Sequence, residues 1–414
     1  MAQFKPFEMD SIPIEAQFMN WCEMDTEPYD KLNTDAYTRT RAILMNGIEN
    51  NSILMSHAIE RMTNDPEIKR QMAMIRRADS KQQQMVNWLN PADQTVLETT
   101  IGYEQVAVDL TANLAKHEPD SYVKSVLDYA LLEDFDHLYR FGCMLKILEG
   151  EDPEVITQNK TEVKPGRPTS IEHRHPNESM RKHYDKEEAD IKTKMNYLTI
   201  TSGEQQTELF YKEHGFMYSD DLTRELYSEI AEIEEQHVTQ YGLLGDPNET
   251  MLEKAALMEL AEAYNYYSCA QSESDSRMKA MWERFAMMEI THFNICAELI
   301  MKHEGRDIDE IMKADTIRPL VLFEPNKKYI NNVLEEQIDL MPYNMEFEHL
   351  ADLPDSWSSF MFQRMANSCS MPSEDVVKGV EGDLAQREDA DIYQSVKQQM
   401  NERIESSMQS RGPT

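Results

Sequence analysis

The chain has 414 residues, 76 Asp and Glu against 41 Lys and Arg, and a formal net charge of -35. Nucleic acid and anionic membrane surfaces attract basic proteins, so neither is expected as a partner. The sequence shows no apolar run of about 18 residues and no leader-like start, and a soluble cytoplasmic protein is expected.

Few glycines, long helical periodicity and little β-branched alternation predict an all-α chain. Residues 1–34, punctuated by Pro and Asp/Glu, read as an N-terminal arm. Four helical patterns follow over about 36–62, from Asp65-Pro66 onward, 94–116 and 121–149, giving a first four-helix bundle over 35–150. Each apolar stripe carries polar residues at its middle, which an ordinary core does not. Residues 151–190, with Pro153, Pro165, Pro168 and the histidines His173, His175 and His183, read as an interdomain linker with a solvated loop. The four-helix pattern returns at about 192–214, 222–243, 250–271 and 275–304, a second bundle over 191–306. Residues 307–414 form a Pro-rich C-terminal extension with a final amphipathic helix predicted near 386–409.

The chain repeats itself. Adding 155 to Glu49, Asp79, Gln82, Glu104, Asp134 and His137 gives Glu204, Glu234, His237, Glu259, Glu289 and His292 without a gap. Within each half a spacing of 30 recurs, from Glu49 to Asp79, Glu104 to Asp134, Glu204 to Glu234 and Glu259 to Glu289. Chance does not keep polar residues in register at six positions.

The second half therefore supplies Glu204, then Glu234-x-x-His237, then Glu259, then Glu289-x-x-His292, one set per helix. Residues three apart share a helix face, so each Glu and His of a pair point the same way. Ionisable groups aimed into an apolar core are costly when unpaired, and a shared cation removes the conflict. One Glu from each of two helices plus Glu-x-x-His from each of two others is the ligand set of a dinuclear carboxylate site in a four-helix bundle. Mostly hard oxygen ligands favour two iron ions over zinc, with manganese the alternative.

On these motifs, over about 192–305, the sequence resembles the ferritin-like diiron superfamily, and within it the rubrerythrin type. The resemblance implies that Glu204, Glu234, Glu259 and Glu289 chelate or bridge the metals, leaving open which one bridges, and that His237 and His292 each cap one. It also implies a metal role for Glu262, three residues past Glu259, exchanging with a histidine as the oxidation state changes. In the first half Glu49, Asp79, Glu104, Asp134 and His137 mark a degenerate second site, because Asp79 and Asp134 are shorter and Gln82 is a feeble ligand.

By the same resemblance the expected activity is that of a dinuclear iron oxidoreductase reacting with peroxide or dioxygen. The five cysteines, Cys22, Cys143, Cys269, Cys296 and Cys369, include no Cys-x-x-Cys, so the electrons come from an external donor. Oxygenation of a small organic substrate and ferroxidase or iron-handling activity are the alternatives. No catalytic residue beyond the metal ligands is expected, and a homodimer is compatible with the sequence. Tyr241, Tyr264, Tyr266 and Tyr267 lie near the ligands in sequence and read first as core packing.

Overall fold

The computed structural model describes residues 3–380 and 390–410. Eight long helices dominate: α1 (Ala36–Met62), α2 (Pro66–Asn87), α3 (Val96–His117), α4 (Ser121–Glu149), α5 (Ile191–His214), α6 (Asp221–Gly242), α7 (Met251–Ser272) and α8 (Ser276–Glu304). The fold is all-α, with one short antiparallel hairpin pairing Leu340–Tyr343 with Glu346–His349. Each long helix begins at a side-chain cap that accepts otherwise unpaired N–H groups. The caps repeat at the same spacing of 155: Asp35 and Asp190, Asp65 and Asp220, Thr95 and Thr250, Asp120 and Asp275. Gly150 and Gly305, also 155 apart, end α4 and α8 in the left-handed conformation that glycine adopts without strain.

Consecutive helices form four hairpins, α1–α2, α3–α4, α5–α6 and α7–α8, but these do not combine as two successive bundles. Hairpin α1–α2 packs on α7–α8, and hairpin α3–α4 packs on α5–α6. The bundles expected at 35–150 and 191–306 are thus replaced by two bundles that each take one hairpin from either half. Connection length explains this. A bundle with this ligand pattern joins its second and third helices by one long crossover. Only residues 88–95 join α2 to α3, and only 243–250 join α6 to α7. Eight residues span at most about 29 Å, less than the roughly 33 Å of a 22-residue helix. The bundles touch through α1, α3, α5 and α7. At Gly47 the approach is so close that a Cβ would lie 2.9 Å from the carbonyl oxygen of Ser202.

The segment expected as a linker is built into the protein: Val163, Arg167, Thr169, Ser170, Ile171, Glu172, His173 and Arg174 are all buried. The arm is also anchored, with Phe4 and Gln17 fully buried and Phe4 bridged to Ile317. The extension docks on the chain's own body, where Val333, Leu350, Trp357, Phe360 and Met400 share a core with Leu132 of α4 and Ile171. The final helix is found at Ala390–Ser410, and the predicted residues before it lie outside the described ones.

Asp109 ties α1, α3 and the 151–190 segment together. Its carboxyl accepts from the Tyr37 hydroxyl at 3.2 Å and the Thr161 hydroxyl at 2.5 Å, and burial pushes its pKa up from 3.8 to about 7. A carboxyl raised in the folded state contributes stability at acid pH that is lost as pH climbs through the folded value. Asp109→Asn should therefore gain stability relative to the parent between pH 5 and 8 in melting experiments. A difference that does not change with pH would refute this role.

Candidate metal centres

The inner pair of hairpins brings Glu104 of α3, Asp134 and His137 of α4, Glu204 of α5, and Glu234 and His237 of α6 into one buried cluster. His237 Nδ1 lies 3.1 Å from Glu234 Oε2, 3.2 Å from Asp134 Oδ1 and 3.7 Å from Glu204 Oε2. His137 Nδ1 lies 3.0 Å from the other oxygen, Glu234 Oε1. Glu234 thus stands between the two imidazoles and belongs to both convergent groups of ligand atoms in this centre.

The outer pair of hairpins assembles Glu49 of α1, Asp79 and Gln82 of α2, Glu259 and Glu262 of α7, and Glu289 and His292 of α8. His292 Nδ1 lies 2.7 Å from Glu289 Oε2, 3.2 Å from Asp79 Oδ1 and 3.5 Å from Glu259 Oε2. Here Asp79 is common to both convergent groups. Gln82 stands where the inner centre has His137, and its amide donates to Glu289.

Each imidazole is aimed from behind. His237 Nε2 donates to Glu133 at 2.7 Å, His137 Nε2 to Glu172 at 3.1 Å, and His292 Nε2 to Gln17 Oε1 at 2.7 Å. The Gln17 amide nitrogen donates to the carbonyls of Ile12 and Met288, so its oxygen is left to accept. Nε2 keeps its proton in each case, so Nδ1, which faces the carboxylates, is the nitrogen left to meet a cation once its own proton is given up. Burial opposes ionisation of Glu133, but the Arg174 guanidinium, at 2.6 and 2.9 Å, and His237 outweigh it and hold that carboxyl well below its usual range. Gln17→Leu would remove the acceptor behind His292 and should weaken metal retention at the outer centre by about 10–100-fold. Dialysis against a chelator followed by metal analysis reads this; equal loss from both centres would contradict the assignment.

Several inward oxygens have no hydrogen-bond partner, among them Glu49 Oε2, Glu104 Oε2, Asp134 Oδ2, Glu204 Oε1 and both carboxylate oxygens of Glu262, while Asp134 Oδ1, Glu204 Oε2 and Glu259 Oε2 lie against an imidazole Nδ1. Each buried orphan costs about 1–3 kcal/mol, more when charged. Burial and mutual repulsion push Glu49, Glu104, Glu204 and Glu262 well above the usual carboxylate range, Asp79 to about 6 and Glu259 to about 8. Burial works against charging the three imidazoles, yet the surrounding carboxylates raise them well above normal. Protons thus occupy buried clusters whose donor sets, orphaned oxygens and aimed nitrogens fit cations.

The residues predicted as one centre are divided between two. Glu204, Glu234 and His237 join the inner centre, while Glu259, Glu262, Glu289 and His292 join the outer. Those assigned to a degenerate copy complete them: Glu104, Asp134 and His137 in one, Glu49 and Asp79 in the other. The inner centre consequently holds four carboxylates and two imidazoles. Of the four tyrosines, Tyr266 reaches the outer centre, donating to Glu49, whereas Tyr264 donates to the Pro319 carbonyl. Tyr211 does for Glu104 what Tyr266 does for Glu49. It was missed, although 55 residues separate Tyr211 from Tyr266, as they separate Glu204 from Glu259. Gln17, Glu133, Glu172 and Arg174 carry no motif and were not anticipated. Among the described residues no helix is long and apolar enough to cross a membrane. No family model, curated protein or solved structure matches the chain.

Proposed function

We propose that the chain is a dinuclear iron oxidoreductase of ferritin-like, rubrerythrin-type character, with a centre in each bundle, reacting with peroxide or dioxygen and drawing electrons from an external donor. The observation that carries this reading is the buried convergence of paired carboxylates with Nδ1-directed histidines on four helices, twice over. Bound iron would supply the electrons and the open coordination face for cleaving an O–O bond. The chain's own residues hold the ligands in place before any ion arrives: Gln17, Glu133 and Glu172 fix the imidazoles, and Tyr211 and Tyr266 fix Glu104 and Glu49. Complete burial keeps bulk water from the ligand atoms and strengthens their pull on a cation. Cys143, Cys269 and Cys296 are buried and unpaired, and no pair of cysteines is spaced to hold iron, which agrees with an outside electron source.

The test is to load the protein with ferrous ion without oxygen, mix it with peroxide or with dioxygen, and follow the near-ultraviolet charge-transfer band. A fast change with peroxide alone supports the peroxidase form of the reading. Dependence on an added organic compound would replace it with an oxygenase. Failure to bind iron would end it.

A further inference from the structure

Among the described residues, four groups of ligand atoms converge closely enough, and are buried deeply enough, to share cations, two in each centre. Three of them contain a histidine: His237, His137 or His292. The fourth, formed by Glu49, Asp79 and Glu262, contains only carboxylates. The difference arises from two substitutions within the repeat. Gln82 stands 55 residues before His137 and removes an imidazole; Glu262 stands 55 residues after Thr207 and adds a carboxylate. Both oxygens of Glu262, one of Glu49 and the amide oxygen of Gln82 are buried and without hydrogen-bond partners. The outer centre therefore faces its cations with one more negative charge and one fewer nitrogen than the inner centre.

Donor type discriminates among divalent ions. Imidazole suits iron, zinc and copper, whereas carboxylate and carbonyl oxygens suit manganese and other hard cations. Resting on the reading of these clusters as metal centres, we propose that the Glu49–Asp79–Glu262 position selects a hard divalent cation of the Mn(II) class. The three imidazole-bearing positions take iron. The inner centre is then homodinuclear and the outer centre heterodinuclear, with Asp79 the carboxylate common to its two unlike ions.

The experiment supplies metal-free, full-length protein, without oxygen, with equal excesses of Fe(II) and Mn(II), about four equivalents or more of each, so that the donors and not the supply set the outcome. Metal per chain is measured after desalting, and the Mn(II) paramagnetic resonance spectrum is recorded. The parent should retain manganese and iron in a ratio of about one to three. Glu262→Gln, nearly isosteric and relieved of a buried charge, should lose manganese about tenfold or more while keeping its iron. Gln82→His, which adds a nitrogen and removes no ligand carboxylate, should exchange the manganese for iron. His137→Gln in the inner centre should create a second manganese position. Manganese retention unchanged by Glu262→Gln and by Gln82→His would overturn the inference, and so would uptake of iron alone at all four positions, though either result leaves the dinuclear reading standing. A chain that retains neither metal would overturn both.

Discussion

Glu234→Ala should strip the metal from the inner centre and leave the outer centre loaded, so that metal content per chain falls by about half. Glu234 is the carboxylate whose two oxygens lie against His137 and His237 at 3.0 and 3.1 Å, and its loss breaks both convergent groups there. Glu289→Ala should empty the His292 position of the other bundle, because Glu289 sits 2.7 Å from His292 there. The double variant should bind no iron and show no near-ultraviolet band. These results separate the observed assembly from a single centre in the second half. If Glu234 and Glu289 served one centre, either variant would abolish all binding and the double variant would add nothing. Elemental analysis of the three variants decides between the two.

Adding ferrous ion to the metal-free protein without oxygen should raise its melting temperature and acidify a weakly buffered solution. An ion that binds only the folded chain stabilises it by about 2.7 kcal/mol when its free concentration is about a hundredfold above its dissociation constant. Several such ions outweigh most single contacts in the molecule. Acidification follows because Glu49, Glu104, Glu204, Glu259 and Glu262 hold their protons unusually firmly, and the imidazoles are charged, until a cation displaces those protons. The sign with pH is the same for the raised acids and for the imidazoles. Groups raised in the folded state lose their stabilising contribution as pH rises, so the metal-free chain weakens through the range of about 6 for Asp79 and about 8 for Glu259. Metal binding gains over the same range, and the gap between loaded and empty protein should widen. A melting temperature indifferent to ferrous ion, with no proton release, would mean the clusters are not metal centres.

The eight long helices, their caps and the inward face of each were legible because they depend on residues a few positions apart. Asp65 before Pro66, Thr95 three residues before Glu98, and Glu234 three residues before His237 are local patterns that helical geometry reads directly. The residues behind the imidazoles were not legible for the opposite reason. Gln17 lies 275 residues from His292, and Glu172 lies on a Pro-punctuated segment with no periodicity to mark it. Glu133 adjoins Asp134 of the inner cluster but is distinguished only by Arg174, 41 residues away.

By itself the sequence determined that the protein is helical, that it contains four related hairpins, and that each points acids, and all but the first a histidine, into its core. Only the tertiary structure decided which hairpins share a centre, because either pairing would bury the same stripes and place the same residue types face to face. The eight-residue connections at 88–95 and 243–250 cannot cross the length of a helix, whereas 150–190 can. The first hairpin therefore meets the last, the second meets the third, and Asp134 and His137 become working partners of Glu204, Glu234 and His237.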